Sequence, residues 1–324
     1  MTLTPGATWC DEKAGDRYRD TPLDEMAALR RHIEAGTPWR KAVAREYEAR
    51  SPWLYQIVTS PKRSLFFRQH PPPPGSRVLD IGSGWGQVAL PLAKSANVTA
   101  LEPTPERLAF IRAAAKQEGV EGSMCFIQAD FLDVEFETKF DMACCIGVLE
   151  WVPKFREGDP YELQVQFLRR AREALTPDGS LVLGIENRLG LKYILGAVDD
   201  HIGTPLIAVY DRLLAGRKWR EKTGQPLRSY TYTRAELEAM LAQAGFGSVK
   251  FYAAFPDYKL PDVILPAGDA VNAFFKRGEF IEEHDGTNGN KLNLQDELRS
   301  HYRSLAELNI AHEFVPSFFA VAHS

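Results

Sequence analysis

A glycine-rich turn is the segment of this sequence whose residue types and spacing point most directly to chemistry. The run from Val78 to Gly86 reads VLDIGSGWG, so an apolar stretch leads into three glycines at alternate positions. Such a turn lets a ligand approach the backbone where a Cβ would block it. The N–H groups at the start of the helix that follows then point at the ligand. The segment therefore predicts a binding loop between a strand and a helix.

Two features of this turn, the spacing of its glycines and the acid before them, help to distinguish a dinucleotide from a ligand with a cationic amino-acid end. Dinucleotide-binding turns use G-x-G-x-x-G, whereas here Gly86 comes one residue early and Gln87 takes the other position. Asp80 precedes the first glycine by two residues. A carboxylate there suits a ligand with a cationic amino-acid end better than a pyrophosphate, because opposite charges attract. The glycine pattern alone is weak evidence for either class.

Further features follow at the ends of the predicted strands. Glu102 ends the second strand, where an acid can accept hydrogen bonds from both hydroxyls of a ribose. The third strand ends in Gln128-Ala129-Asp130-Phe131, the fourth lies in FDMACCIGVLEWV from residue 140, and the turn LTPDG from residue 175 leads into the fifth. The five features occur in order over residues 77–186. This order resembles the motifs of class I S-adenosylmethionine (SAM) methyltransferases, with Trp151 where that family often has histidine.

The resemblance implies a Rossmann-like α/β fold with a seven-stranded sheet, SAM as cofactor and S-adenosylhomocysteine as product. It places the methionine moiety over 82–86, the ribose on Glu102, the adenine amino group on Asp130 and the adenine ring on Phe131. Phe131 as a core residue and Asp130 as a turn cap remain open alternatives. The implied cofactor-binding residues are Asp80, Gly82, Ser83, Gly84, Gly86, Glu102, Pro103, Asp130, Phe131 and, through its backbone, Ile146.

The elements that must position these residues alternate between strand and helix after the break formed by prolines 71–74. This alternation predicts a doubly wound parallel sheet. We expect an N-terminal helical arm, which could serve as a lid, over residues 1–74 and a SAM-binding α/β domain over 75–324. Cap insertions are expected at about 187–230 and 256–312. By the resemblance, the segments SVKFYAAF and PSFFAVAHS form a terminal hairpin whose last strand is antiparallel.

Catalytic residues are harder to predict, because the enzyme mainly aligns the nucleophile and excludes water. An alcohol acceptor must also lose a proton, so a base helps. His201 is the favoured base, since histidine titrates near neutrality and Asp199 or Asp200 could orient it. A surface histidine on a loop is the alternative. Glu150 and Glu186 are rivals, because a buried carboxylate can be tuned into a base.

Other side chains near these positions suggest an acceptor pocket. Arg188 and Lys192 could hold an anionic acceptor, or form a solvated basic face. Trp151, Tyr193 and Tyr258 could wall the pocket, or pack under the cap. The sequence predicts no metal site. The stretch ENRLGLKY, which begins at Glu186, resembles methyltransferases of bacterial glycan and secondary-metabolite clusters.

Composition excludes several function classes. The 39 basic and 43 acidic residues give a net charge of −4, which argues against a nucleic-acid partner. Neither a signal peptide nor an apolar run long enough for a membrane helix is evident, so the sequence predicts a cytoplasmic protein. The four cysteines fit a reducing compartment. The oligomeric state is left open.

The predicted function is SAM-dependent methyl transfer to a small-molecule or saccharide acceptor, at oxygen. Carbon or nitrogen methylation of an apolar, prenyl-type metabolite is one alternative. A non-catalytic SAM-fold protein that binds a partner is another, and a dehydrogenase is the remotest.

Overall fold

The computed structural model of the protein describes residues 8–10 and 21–323. The chain divides into two compact units, one of Met1–Ile146 with Arg170–Leu181 and one of Gly147–Arg169 with Val182–Ser324. The long strand β6 contributes residues to both. Each unit is described by itself.

The sheet of the first unit consists of parallel strands. Its strands are β1 (Thr8–Cys10), β2 (Arg77–Ile81), β3 (Asn97–Leu101), β4 (Met124–Gln128), β5 (Phe140–Ile146) and the start of β6 (Leu175–Glu186). They lie in the order β1-β4-β3-β2-β5-β6, and the pairs β1/β4, β4/β3, β3/β2 and β2/β5 are parallel. The four residues of β2 after Arg77 are all buried, as expected for a strand covered on both faces. This confirms the predicted doubly wound core.

Helices flank these strands where the sequence predicts them. They are α1 (Leu23–Glu34), α2 (Trp39–Tyr47), α3 (Pro52–Thr59), α4 (Leu65–Gln69), α5 (Ala89–Leu92), α6 (Pro105–Glu118) and α7 (Pro160–Ala174). Helix α6 ends at Gly119, whose φ of 72° is left-handed, as a glycine cap requires. Thr104 precedes α6, and its side chain makes no capping hydrogen bond.

The described part of the N-terminal arm packs on α6. The indole Nε1 of Trp39 donates to Glu118 at 2.9 Å, and the Trp39 ring meets Phe110 edge-on at 5.8 Å. The Gln117 side chain donates to the Thr37 carbonyl at 2.8 Å. These contacts attach the arm to the first unit. Its role as a lid stays a prediction.

The second unit is built on an antiparallel hairpin. It contains the end of β6, the strands β7 (Ser248–Phe255), β8 (Val263–Pro266) and β9 (Ser317–His323), and the helices α8 (Leu191–Ile194), α9 (Arg212–Thr223), α10 (Arg234–Gln243), α11 (Asp269–Lys276) and α12 (Gln295–Glu307). Its strand order is β6-β9-β7-β8, and β7 pairs antiparallel with both β9 and β8. The antiparallel final strand is therefore confirmed.

The strand count differs from the seven expected. Nine strands occur in the described residues, and the two additional ones, β1 and β8, lie at the sheet edges. The turn predicted at 175–179 is also wrong, because α7 ends at Ala174 and β6 begins at Leu175. Pro177 thus lies near the start of a strand, one of the few strand positions that tolerate proline. No helix within 21–323 is both long and apolar enough to cross a membrane.

A glycine after β5 offers a test of the packing in the second unit. Gly147 has a φ of +71°, and a Cβ there would lie 2.6 Å from Oη of the buried Tyr258. We expect Gly147→Ala to lower the free energy of unfolding by about 2–4 kcal/mol, since backbone strain and overpacking add. Urea unfolding measures the loss.

Gly224→Ala is the matched control. Gly224 has the same φ of +71°, but no atom lies within 4 Å of a Cβ built there. Its substitution should cost only the backbone strain, about 1 kcal/mol. Equal losses in the two variants would contradict the proposed clash with Tyr258.

Candidate active site

The glycine loop after β2 is held tightly by its own backbone. Residues 82, 84 and 86 all have positive φ, at 68°, 57° and 78°. The N–H groups of Gly82 and Ser83 donate to the Leu101 carbonyl at 2.8 and 3.0 Å, and that of Gly86 donates to Ser83 at 2.8 Å. A Cβ at Gly86 would lie 3.2 Å from Ile111. These loop N–H groups are therefore used inside the chain, and the expectation that the N–H groups at the start of the following helix point at a ligand stays a prediction.

Asp80 lies buried under this loop with an unused acceptor. Its side-chain atom Oδ2 accepts no hydrogen bond from the described part of the chain. Burial raises the pKa of Asp80 to about 7. An unpaired carboxylate oxygen in such a place is costly unless a donor or a cation approaches it. Asp80 is therefore suited to an ammonium group of a ligand.

Glu102 follows β3 and is held by two backbone N–H groups. Gly84 donates to its Oε2 at 2.8 Å and Thr104 to its Oε1 at 3.0 Å. Burial raises the pKa of Glu102. Each carboxylate oxygen can accept more than one hydrogen bond, so both can still accept from a pair of hydroxyls.

The remaining predicted cofactor residues follow β3, β4 and β5. Pro103 is half-buried next to Glu102. Asp130 accepts a hydrogen bond from the Leu132 N–H at 3.1 Å, and the buried Phe131 ring stacks on Phe136 at 6.3 Å. Ile146 is the last residue of β5. All of them lie at the carboxyl ends of parallel strands, where open α/β sheets bind ligands. The cofactor roles of these residues stay predictions.

The three predicted catalytic residues come together in the second unit, where we name them the Glu-Glu-His cluster: Glu150, Glu186 and His201. Glu150 lies in a short 3₁₀ turn after β5, Glu186 is the last residue of β6, and His201 lies in a turn after α8. His201 Nε2 is 3.6 Å from Glu150 Oε1 and 3.5 Å from Glu186 Oε2. The three side chains are 1%, 1% and 5% exposed. His201 is thus not a surface histidine.

Electrostatics differ between the three members of this cluster. Burial raises the pKa of Glu150, and neither of its oxygens has a hydrogen-bond donor among the described residues. Burial also disfavours charge on Glu186, but Lys259 and His201 outweigh it and lower the pKa of Glu186. For His201, burial is overcome by Glu186 and Glu150, which raise its pKa to about 9.

Two lysines, the buried Lys192 and the half-buried Lys259, neutralise the carboxylates beside the Glu-Glu-His cluster. Lys259 Nζ bonds Glu186 Oε1 and lies 2.8 Å from Asp200. Lys192 Nζ is 3.3 Å from Asp200. The two ammonium groups overcome burial and hold the pKa of Asp200 well below its usual range. Lys259 was not singled out from the sequence.

The imidazole of His201 is held from two further sides. Asp199 Oδ1 accepts from the N–H groups of His201 and Ile202 at 2.8 and 2.9 Å and lies 3.7 Å from His201 Nδ1. The half-buried Trp151 ring meets the imidazole edge-on, with centroids 5.0 Å apart. The orienting role predicted for Asp199 or Asp200 therefore fits Asp199.

The predicted acceptor-binding residues are engaged within the chain. Arg188 forms a bidentate ion pair with Glu236, with both bonds at 2.7 Å. Lys192 is almost fully buried against Asp200, and Tyr193 and Tyr258 are also buried. Binding of an anionic acceptor by Arg188 or Lys192 would require breaking one of these ion pairs.

An open pocket lies in the second unit next to Asp199. The space between its walls, including open solvent, is about 440 Å³. Tyrosines and arginines dominate its polar lining: Arg188, Asp199, Tyr210, Arg212, Tyr230 and Tyr232. Apart from Arg188 and Asp199, this lining was missed from the sequence, because its residues come from segments without a motif. A ring-shaped molecule would fit its aromatic walls.

Comparison with known proteins supports the resemblance stated from the sequence. Residues 78–179 match a family model described as "Methyltransferase domain". The chain is 27% identical over 188 residues to a protein of Xanthomonas campestris pv. campestris named "Ubiquinone biosynthesis O-methyltransferase", covering 58% of this chain and 70% of the relative. A protein of the same name from Xanthomonas axonopodis pv. citri is 28% identical over 182 residues, covering 56% and 67%.

Solved structures were also compared. The CcbJ methyltransferase from Streptomyces caelestis aligns over 82% of this chain and 89% of its own, with 16% identity and a TM-score of 0.47. That score is too low to bear on the site. The fold assignment rests on the matched region and on the strand order.

Asp80 gives a pH-dependent test of this description. Its pKa rises from 3.8 in the unfolded chain to about 7 in the fold. Between these values the folded state keeps a proton that the unfolded state releases, so the contribution of Asp80 to stability falls as pH rises from 4 to 7. We expect the free energy of unfolding of Asp80→Asn, relative to wild type, to increase by about 2–4 kcal/mol over that range.

Urea unfolding at several pH values measures this difference. Asp178→Asn is the matched control, because Asp178 is exposed, and its difference from wild type should stay constant with pH. A flat profile for Asp80→Asn as well would contradict the buried, unpaired state of Asp80.

Proposed function

We propose that the chain, a class I SAM-dependent methyltransferase, transfers the methyl group to an oxygen atom of a small-molecule acceptor. The observation that carries this proposal is the Glu-Glu-His cluster, which holds a buried histidine beside two buried carboxylates that have unused acceptor atoms. A hydroxyl acceptor has a proton to give up, and such groups can receive it. The similarity to proteins named O-methyltransferases also supports oxygen as the methylated atom.

The residues of the first unit fit SAM. The unpaired Asp80 oxygen suits the ammonium group of its methionine end, and the two Glu102 oxygens suit its ribose hydroxyls. Asp130 and Phe131 would hold the adenine. When bound, SAM supplies an activated methyl group on a sulfonium sulfur.

The residues of the second unit prepare the acceptor. Glu150, whose oxygens lack donors, accepts the hydrogen bond of the acceptor hydroxyl. Lys259 fixes Glu186, and Asp199 fixes His201, so the hydroxyl meets side chains whose positions are already set. Because the cluster is buried, water is excluded from the reacting oxygen. A hydroxyl oxygen that takes the methyl group from the sulfonium sulfur, whose bond to that methyl breaks, would give its proton to this cluster.

The pocket beside Asp199 supports a ring-bearing acceptor. Its tyrosine walls suit the flat face of an aromatic compound or of a sugar. A partner-binding protein without activity would have no need for unused carboxylate oxygens in a buried cluster. A cytoplasmic location is part of the proposal, since Cys125, Cys144 and Cys145 are buried as thiols rather than joined in disulfides.

Isotope labelling tests the proposed atom. We expect the protein, given SAM with a deuterated methyl group and a panel of phenols, catechols and sugars, to form a labelled product. NMR should place the label on oxygen. A label on carbon or nitrogen would contradict the proposal, as would failure of S-adenosylhomocysteine to bind in calorimetry.

Substitution in the cluster tests its role. Glu150→Gln removes an acceptor of the hydroxyl proton and should lower kcat roughly 10²–10⁴-fold. The affinity for S-adenosylhomocysteine should stay unchanged, since the predicted cofactor residues lie elsewhere. Glu307→Gln, an exposed position on α12, is the control and should keep full activity. Wild-type turnover in Glu150→Gln would remove the cluster from the reaction.

A further inference from the structure

We propose that the Glu-Glu-His cluster binds one divalent transition metal ion. The ligand atoms are Glu150 Oε1, Glu186 Oε2 and His201 Nε2, which lie within 4.8 Å of one another. The sequence predicts no metal site, because these residues have no motif spacing. The structure brings them together from three separate segments.

The distances in this cluster fit a bound ion better than direct hydrogen bonds. His201 Nε2 is 3.6 and 3.5 Å from the two carboxylates, whereas an N–H···O hydrogen bond measures roughly 2.7–3.2 Å. An ion with metal–ligand bonds of about 2.0–2.2 Å separates neighbouring ligands by about 3.0–3.4 Å in tetrahedral or octahedral geometry. Small rotations of the two glutamates would close the remaining gap.

Three carboxylate oxygens of the cluster lack hydrogen-bond donors among the described residues and could all contact one ion. Both oxygens of Glu150 and Oε2 of Glu186 are buried and have no hydrogen-bond donor in the described chain. A buried carboxylate without a partner is strongly unfavourable. Lys259 occupies only the other oxygen of Glu186, so Oε2 remains for a ligand. A cation would satisfy these atoms together.

The charges around the cluster also call for a cation. Four buried carboxylates lie close together, whereas the buried ammonium groups that pair with them belong to Lys192 and Lys259. The four carboxylates are Glu150, Glu186, Asp199 and Asp200. Asp257 and Glu283 are also buried and act on the same lysines, so the carboxylates outnumber the ammonium groups and a divalent ion would offset part of the excess negative charge.

A carboxylate also lies behind the imidazole of His201, on the side away from the proposed ion. Asp199 Oδ1 lies 3.7 Å from His201 Nδ1, the ring nitrogen opposite the ligand atom. A carboxylate behind a metal-bound histidine orients the ring and increases its basicity. One imidazole with two carboxylates suits Mn²⁺ or Zn²⁺. Binding of the ion does not depend on the reaction, but its role rests on the proposed function: a remaining coordination position would hold the acceptor hydroxyl and increase its acidity.

Calorimetry with the metal alone tests the site. After treatment with a chelator, the full-length protein should bind one equivalent of Mn²⁺, and separately of Zn²⁺. Glu150→Gln should abolish binding, and Asp199→Asn should weaken it roughly 10–100-fold. Glu307→Gln should bind as wild type. Circular dichroism and S-adenosylhomocysteine affinity check that each variant is folded.

Spectroscopy on the wild-type protein tests the site without any substituted protein, so the result does not depend on whether a variant folds. Pulsed electron paramagnetic resonance of the Mn²⁺ complex should show coupling to one imidazole nitrogen, which only His201 supplies in the proposed site. Absence of this coupling, absence of binding, or equal affinity in Glu150→Gln and Glu307→Gln would overturn the inference.

The two proposals fail in different ways. Labelled methyl on oxygen in the presence of a chelator, with no metal bound, would keep the proposed function and overturn the metal site. A bound metal with the label on carbon or nitrogen would keep the metal site and overturn the proposed function.

Discussion

The contact of Lys259 with Glu186 and Asp200 is the interaction on which the site of the second unit depends. Four carboxylates are buried close together there, from the 3₁₀ turn after β5, the end of β6 and the turn after α8, and they would repel one another without compensating charge. Lys259 reaches two of them, and Lys192 supports Asp200. Lys259 bonds one carboxylate oxygen of Glu186, Oε1, and leaves Oε2 without a hydrogen-bond donor among the described residues. Oε2 can therefore contact a ligand.

The first unit is the part that sequence reasoning predicted best. Its signals are local: a glycine loop after a strand, and acids such as Glu102 at strand ends, which need only neighbours in the chain to be recognised. Parallel strands then bring their carboxyl ends to one edge of the sheet. The predicted cofactor residues accordingly lie along that edge. The internal hydrogen bonds of the loop N–H groups were not foreseen, because they depend on the positive φ of the glycines and on the Leu101 carbonyl of the neighbouring strand.

In the second unit, sequence reasoning identified the residues of the Glu-Glu-His cluster but not the residues that contact them. His201, Glu150 and Glu186 were each weighed as a base, but no spacing indicated that they meet, since they belong to three separate segments. Lys259 arrives from a segment beyond β7, and its pairing depends on long-range packing that no spacing encodes. The strands β1 and β8 were missed for a related reason. They are three and four residues long, too short to show an alternating pattern.

The hydrogen bonds of the glycine loop have a thermodynamic consequence for ligand capture. Glu102 accepts from Gly84 before any ligand arrives, and the neighbouring N–H groups are also paired. The loop therefore has little conformational entropy left to lose when a ligand binds, so more of the contact energy can appear as affinity. We therefore expect the ligand to bind a preorganised loop, without coupled folding of that loop. The residence time of the ligand would then depend on how fast its contacts with the carboxylates break.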